Sequence, residues 1–94
     1  MATYNVARAK HAVLVATTVD TVNFSTAFAY IRVTNRSGLG AIWARADGTN
    51  PGVLADDSYL IDNNESKDIA VASVDNTHVK LVCGAAANYS AEGV

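Results

Sequence analysis

Cysteine, proline, bulky aromatics and charge are all scarce in this chain of 94 residues, and each scarcity excludes something. With one cysteine, Cys83, no internal disulfide can form, so packing alone must hold the fold. Cys83 stands in the run VKLVCG, which reads as a buried strand with a reduced, structural thiol of the kind found in a cytosol. Charged residues make up 17% of the chain, against about 25% in ordinary soluble domains. Part of the surface is therefore expected to be covered by partners. The formal net charge of −2 argues against a nucleic-acid binder, which would show a basic face. No apolar run approaches the roughly 20 residues of a membrane-spanning helix. Residues 12–16 are too short for the apolar region of a secretory signal, and Thr17 and Thr18 follow them.

A catalytic constellation is also missing. Hydrolysis needs a nucleophile, a base and an orienting acid within reach of one another. His11, His78 and Cys83 are the candidates. His78 and Cys83 stand five apart on one strand, so they point to opposite faces. Two histidines and one cysteine do not make a zinc site with any usual spacing. The acids Asp56, Asp57, Asp62, Glu65 and Asp68 gather between two turns, but without the spacing of a calcium loop. They read first as a solvated acidic loop. No cofactor and no enzymatic activity are expected.

What is present is alternation. Half of the residues are apolar, many of them alanine, and the second half of the chain breaks into short runs between Gly, Pro, Asn and Asp. Residues 41–47 place Ile42, Ala44 and Ala46 on one side and Trp43, Arg45 and Asp47 on the other. Residues 20–25 set Val22 and Phe24 against Thr21 and Asn23. Residues 27–34 set Ile31 and Val33 against Tyr30, Arg32 and Thr34. Residues 78–83 set Val79, Leu81 and Cys83 against His78, Lys80 and Val82. Further strands are expected at 10–17 (buried on both faces), 58–61, 67–72 and 87–93, the last anchored by Tyr89. Residues 35–40 and 47–52 read as loops, and Pro51 cannot lie in a central strand. Seven or eight short strands without a helical period predict an all-β fold. The expected form is a small antiparallel β-sandwich, Ig-like or jelly-roll-like. Residues 1–94 form one domain in this reading, with 1–9 an arm or an edge strand.

Several phrases carry a resemblance: Val33-Thr34-Asn35, Ile42-Trp43, Asp47-Gly48-Thr49-Asn50-Pro51, Tyr59, Val79-Lys80-Leu81 and Tyr89-Ser90-Ala91-Glu92-Gly93-Val94. Together they span about two-thirds of the chain, from residue 31 onward. In these phrases the chain resembles small virion structural proteins of tailed bacteriophages, especially those of actinobacteria. Asp62-Asn63-Asn64-Glu65 departs from the Pro-Ala-Gly turn frequent in that group. The resemblance implies a capsid decoration (cement) protein in the virion. Its partner would be the major capsid protein, with self-association on the shell and no direct contact with nucleic acid or membrane. A tail or head–tail accessory protein, or a virion-surface module binding host or carbohydrate, is the alternative.

Four residues are the candidate interface. If Ile31 and Ile42 face the core, Tyr30 and Trp43 face outward beside Arg32 and Arg45, as anchors of a protein contact do. A register slip of one residue would instead put Trp43 in the core.

Overall fold

The computed structural model describes residues 2–36, 40–56, 58–71 and 77–94. Nine strands lie among them: β1 Thr3–Val6, β2 Ala9–Leu14, β3 Asp20–Phe24, β4 Tyr30–Asn35, β5 Ile42–Arg45, β6 Tyr59–Ile61, β7 Ser66–Ala70, β8 His78–Cys83 and β9 Ala87–Gly93. Sheet A has the order β1-β3-β8-β5-β6, and sheet B the order β2-β9-β4-β7. The chain folds this way because no apolar run is long enough for a helix, while period-2 segments can bury one face each.

The pairing has a simple logic. β2 pairs with β9, β3 with β8, β4 with β7 and β5 with β6, all antiparallel. This is one long hairpin whose two arms are rolled into two facing sheets, the jelly-roll topology. β1 is an addition to the roll. It joins the edge of β3 in parallel, with Thr3 opposite Thr21 and Val6 opposite Phe24. Both sheets are otherwise antiparallel, as the expected sandwich requires, and within residues 1–9 the segment Thr3–Val6 forms an edge strand. Parallel pairing is possible because β2 crosses to the other sheet before the chain returns as β3.

Inner-face residues follow the alternation closely. Val22, Ile31, Val33, Ile42, Ala44 and Ile69 are fully buried. The expected strand at 10–17 is corrected: it stops at Leu14, and only Leu14 is buried, while Val13 and Val15 are 59% and 61% exposed. The reason is position, because β2 is an edge of sheet B and none of the described residues buries its outer face. Strands expected to start at Ala27 and Ser58 start at Tyr30 and Tyr59, and Ala72 lies outside the described residues, as do 37–39 of the 35–40 loop.

Two polar side chains tie the sheets together through the core. Tyr89 of β9 is fully buried, and its hydroxyl donates to Asp20 Oδ2 of β3 at 3.3 Å. Asp20 is itself only 3% exposed and accepts a second bond from the Ala2 backbone N–H at 3.2 Å. At the other edge, Asn35 of β4 donates from Nδ2 to the Gly40 and Ile61 carbonyls, at 2.6 and 3.2 Å. Gly93 has a packing role: a side chain there would collide with the Phe28 ring, which stands edge-on to Phe24 at 5.9 Å.

Replacing Tyr89 by Phe leaves a buried carboxylate short of a donor, which costs about 1–3 kcal/mol. Urea unfolding of Tyr89→Phe should show that loss; an unchanged midpoint would mean the bond contributes nothing. Burial, with the nearby Asp20 charge, pushes the Tyr89 phenol well above its ordinary range. A group raised on folding stabilises fully below its unfolded pKa, here about 10, and that stability disappears as pH rises beyond it. Tyr89 phenolate absorbance should therefore appear only together with loss of the fold.

Candidate interaction face

The register places the outward side chains of sheet A in rows across its strands. Trp43 stands between Val82 of β8 and Leu60 of β6. Arg45 stands opposite Lys80, and Lys80 opposite Thr21. His78 stands opposite Asn23, which stands opposite Asn5. The face thus grades from an apolar row through a cationic row to a polar one. Ile42 and Ala44 are fully buried on the opposite side, so Trp43 faces outward in the register read from the sequence. Trp43 is half-buried, and Val82 beside it is 5% exposed despite facing outward.

The long connection from β5 to β6 accounts for that covering. A side-chain carbon at Gly48 would lie 3.5 Å from His78 Nε2, and one at Gly84 would lie 3.8 Å from Val53 Cγ1. The connection therefore touches both ends of β8, and Pro51 within it is buried. Its turn at Gly52–Ala55 closes with the Ala55 N–H donating to the Gly52 carbonyl at 3.1 Å. Leu54 occupies the third position of that turn with φ +61°. That position calls for Gly or Asn, and a branched side chain there costs about 1 kcal/mol. Leu54 is nevertheless 79% exposed, so packing in the folded chain does not repay the strain. Val53, Tyr59 and Leu60 nearby are 41%, 47% and 40% exposed.

Arg45 forks onto Asp47, donating from Nε to Oδ1 at 3.1 Å and from Nη2 to Oδ2. The Arg45 hydrogen bond, helped by the Thr49 N–H, holds the Asp47 carboxyl down to about 2. Asp47 thus caps the cationic row and fixes the start of the long connection. The pair is solvent-exposed, so it adds no more than about 1 kcal/mol. Because the pKa is lowered on folding, that increment is present above about pH 4 and disappears as pH falls toward 2. Carbon-detected NMR titration should find Asp47 with its midpoint near 2. Arg45→Ala should move it back toward the ordinary carboxylate value; no movement would remove Arg45 as the cause.

Tyr30 and Arg32 lie elsewhere. They face outward from β4, in sheet B, whereas Trp43 and Arg45 face outward from β5, in sheet A. The four candidates therefore occupy opposite sides of the sandwich, and the expectation that they form one interface is corrected. Arg32 forks onto Asp68 of β7 at 2.8 and 3.2 Å, which raises the guanidinium and lowers the carboxyl from their usual values. Across the same face, His11 Nδ1 and Ser90 Oγ are 2.7 Å apart, as are Thr34 Oγ1 and Ser66 Oγ.

The His11–Ser90 contact is a nucleophile–base distance that sequence spacing did not reveal, because 79 residues separate the pair. It lies on an open sheet face, and the backbone N–H groups of β9 are committed to ladders with β2 and β4 on either side. Donors for a developing oxyanion would have to come from elsewhere. His78 and Cys83 do point to opposite sides, with Cys83 Sγ directed to the Leu14 and Val15 carbonyls at 3.7 and 3.8 Å. Burial pushes that thiol up from its usual value. Of the acidic group, Asp57 lies outside the described residues, and Asp68 is taken by Arg32. Among the described residues no three His, Cys, Asp or Glu side chains gather closely enough to hold a metal ion, and no helix is long and apolar enough to cross a membrane. An open cleft of about 290 Å³ lies at the ends of β1 and β3, lined by Asn5, Val6, Ala7, Asn23, Phe24 and Ser25.

Compared with family models, with curated proteins and with solved structures, the chain matches none.

Proposed function

We propose that the protein is a non-enzymatic structural component of a bacteriophage virion. In this reading it is a capsid decoration protein that binds the assembled major capsid lattice through the outer face of sheet A. The observation that supports a docking role is Leu54, an exposed apolar side chain on a strained turn in the connection that leads into β6, where outward-facing Leu60 is also exposed. A chain selected for stability alone would carry Gly there and leave the surface polar. The virion assignment rests on the sequence resemblance described above. Jelly rolls are also a frequent architecture of capsid and lectin domains, which is support at the level of fold analogy.

Mechanistically, each copy buries Leu60, the exposed part of Trp43 and the Leu54 turn where lattice subunits meet. Binding only to the assembled lattice stabilises it by linkage. Weak contacts repeated over many copies, including contacts between neighbouring copies, add through multivalency. A second reading is favoured by the other face: Tyr30, 49% exposed, beside the Arg32–Asp68 fork on sheet B suits stacking on a carbohydrate ring. A tail or head–tail position uses the same sheet A contact.

Quantitative mass spectrometry of purified virions should find the protein at many copies per particle. Its presence only in infected-cell lysate would refute the virion role. Leu54→Gly should keep or raise the stability of the isolated protein, since it relieves the strain, while weakening attachment. Trp43→Ala should leave the domain folded and weaken attachment by about 2 kcal/mol. If both variants attach normally while Tyr30→Ala does not, the docking face is sheet B.

A further inference from the structure

Edge strands are where a sandwich stays open to further pairing, because their outer N–H and C=O groups lack ladder partners. This fold has four edges and guards them unequally. In sheet B, β2 carries Lys10 and β7 carries Lys67, opposite the buried residues Ala91 and Val33, so both lysines point inward between the sheets. Lys10 Nζ sits 4.3 Å from the centre of the Tyr4 ring. An inward charge on an edge strand opposes the addition of another strand. In sheet A, β1 and β6 carry no charged residue. The outward side chains of β1 are Thr3 and Asn5, and Asn5 Oδ1 accepts from Asn23 Nδ2 at 3.2 Å. β6 alone joins an uncharged edge to exposed apolar side chains, Tyr59 and Leu60, with Leu54 on the turn leading into it.

The charges around β6 select what can pair with it. Residues 47–66 hold five of the chain's nine acidic residues and none of its seven basic ones. Asp56 precedes β6, Asp62 and Glu65 follow it, and all three are exposed. Two copies paired antiparallel through β6 would bring the Asp56 end of one against the Asp62 end of the other. Like charges so placed repel.

We propose that the β6 edge accepts an extended segment of a different protein, adding it as a sixth strand of sheet A. The segment places an apolar residue beside Leu60 and Lys or Arg near its ends, against the acidic flanks. β6 is three residues long and offers few backbone bonds, so the apolar contact and the charge complementarity carry a large part of the recognition.

Two synthetic peptides test this on the full chain by NMR. Both alternate valine and threonine; one ends in lysine at each terminus, the other in glutamate. The lysine peptide should shift the Tyr59, Leu60 and Ile61 amide signals saturably, and less strongly as salt is raised. The glutamate peptide should shift nothing. Leu60→Lys, which alters an exposed position, should weaken the lysine peptide roughly tenfold while leaving the β9 signals in place. Equal binding of both peptides, no binding of the lysine peptide, or shifts at β2 or β7 instead would overturn the proposal. So would concentration-dependent shifts at Tyr59–Ile61 without peptide, which would make a second copy the occupant. The test needs no particle, so its failure and the failure of the virion reading are separate results.

Discussion

The hydrogen bond from Tyr89 to Asp20 is the constraint on which the rest of this small sandwich depends. It crosses from sheet B to sheet A through the core and joins the largest fully buried side chain to a buried carboxylate. Asp20 then fastens the start of β1 through the Ala2 N–H, so the added strand is tied to the same centre. A chain without disulfides and rich in alanine gains little from each buried residue. A satisfied polar link between the sheets fixes their relative position in a way that apolar packing of small side chains does not. Asn35 does the same at the far edge, on the Gly40 and Ile61 carbonyls.

With the two sheets fixed from within, their outer faces are free to differ. Sheet B presents hydrogen-bonded polar pairs, His11 with Ser90, Thr34 with Ser66 and Arg32 with Asp68, and guards both edges with inward lysines. Sheet A presents exposed Leu60 and half-buried Trp43, a strained exposed leucine in the connection between β5 and β6, and an uncharged edge, while Val82 in the same row is covered. Apolar side chains are exposed on both sides, Leu54 and Leu60 with sheet A and Val13 and Tyr30 with sheet B.

Much of this was legible in the sequence, for a definite reason. Alternation reports which side of a strand is buried, and it placed Val22, Ile31, Ile42 and Leu81 inside and Trp43 and Tyr30 outside. It does not report which sheet a strand joins. Nearly every connection in a jelly roll crosses the sandwich, so β4 and β5, adjacent in sequence, lie in different sheets. That is why Tyr30 and Trp43 proved to face opposite ways. Alternation also cannot tell an edge from a centre, which explains the error at Val13 and Val15. The place of Asp20 at the start of the 20–25 strand was legible, but its role in the core was not, because its partner is 69 positions away. Leu54 left a fainter signal: a leucine between turn-forming residues, where the backbone angle that makes it informative depends on tertiary structure.

The central claim is that sheet A, at β5, the Leu54 turn and β6, meets the partner while sheet B faces solvent. Hydrogen–deuterium exchange on the free protein and on the protein bound to intact particles tests it most directly. Bound protein should exchange more slowly at residues 42–45 and 52–61, with β2 and β7 unchanged. Slowed exchange confined to β2 and β7 would contradict the account.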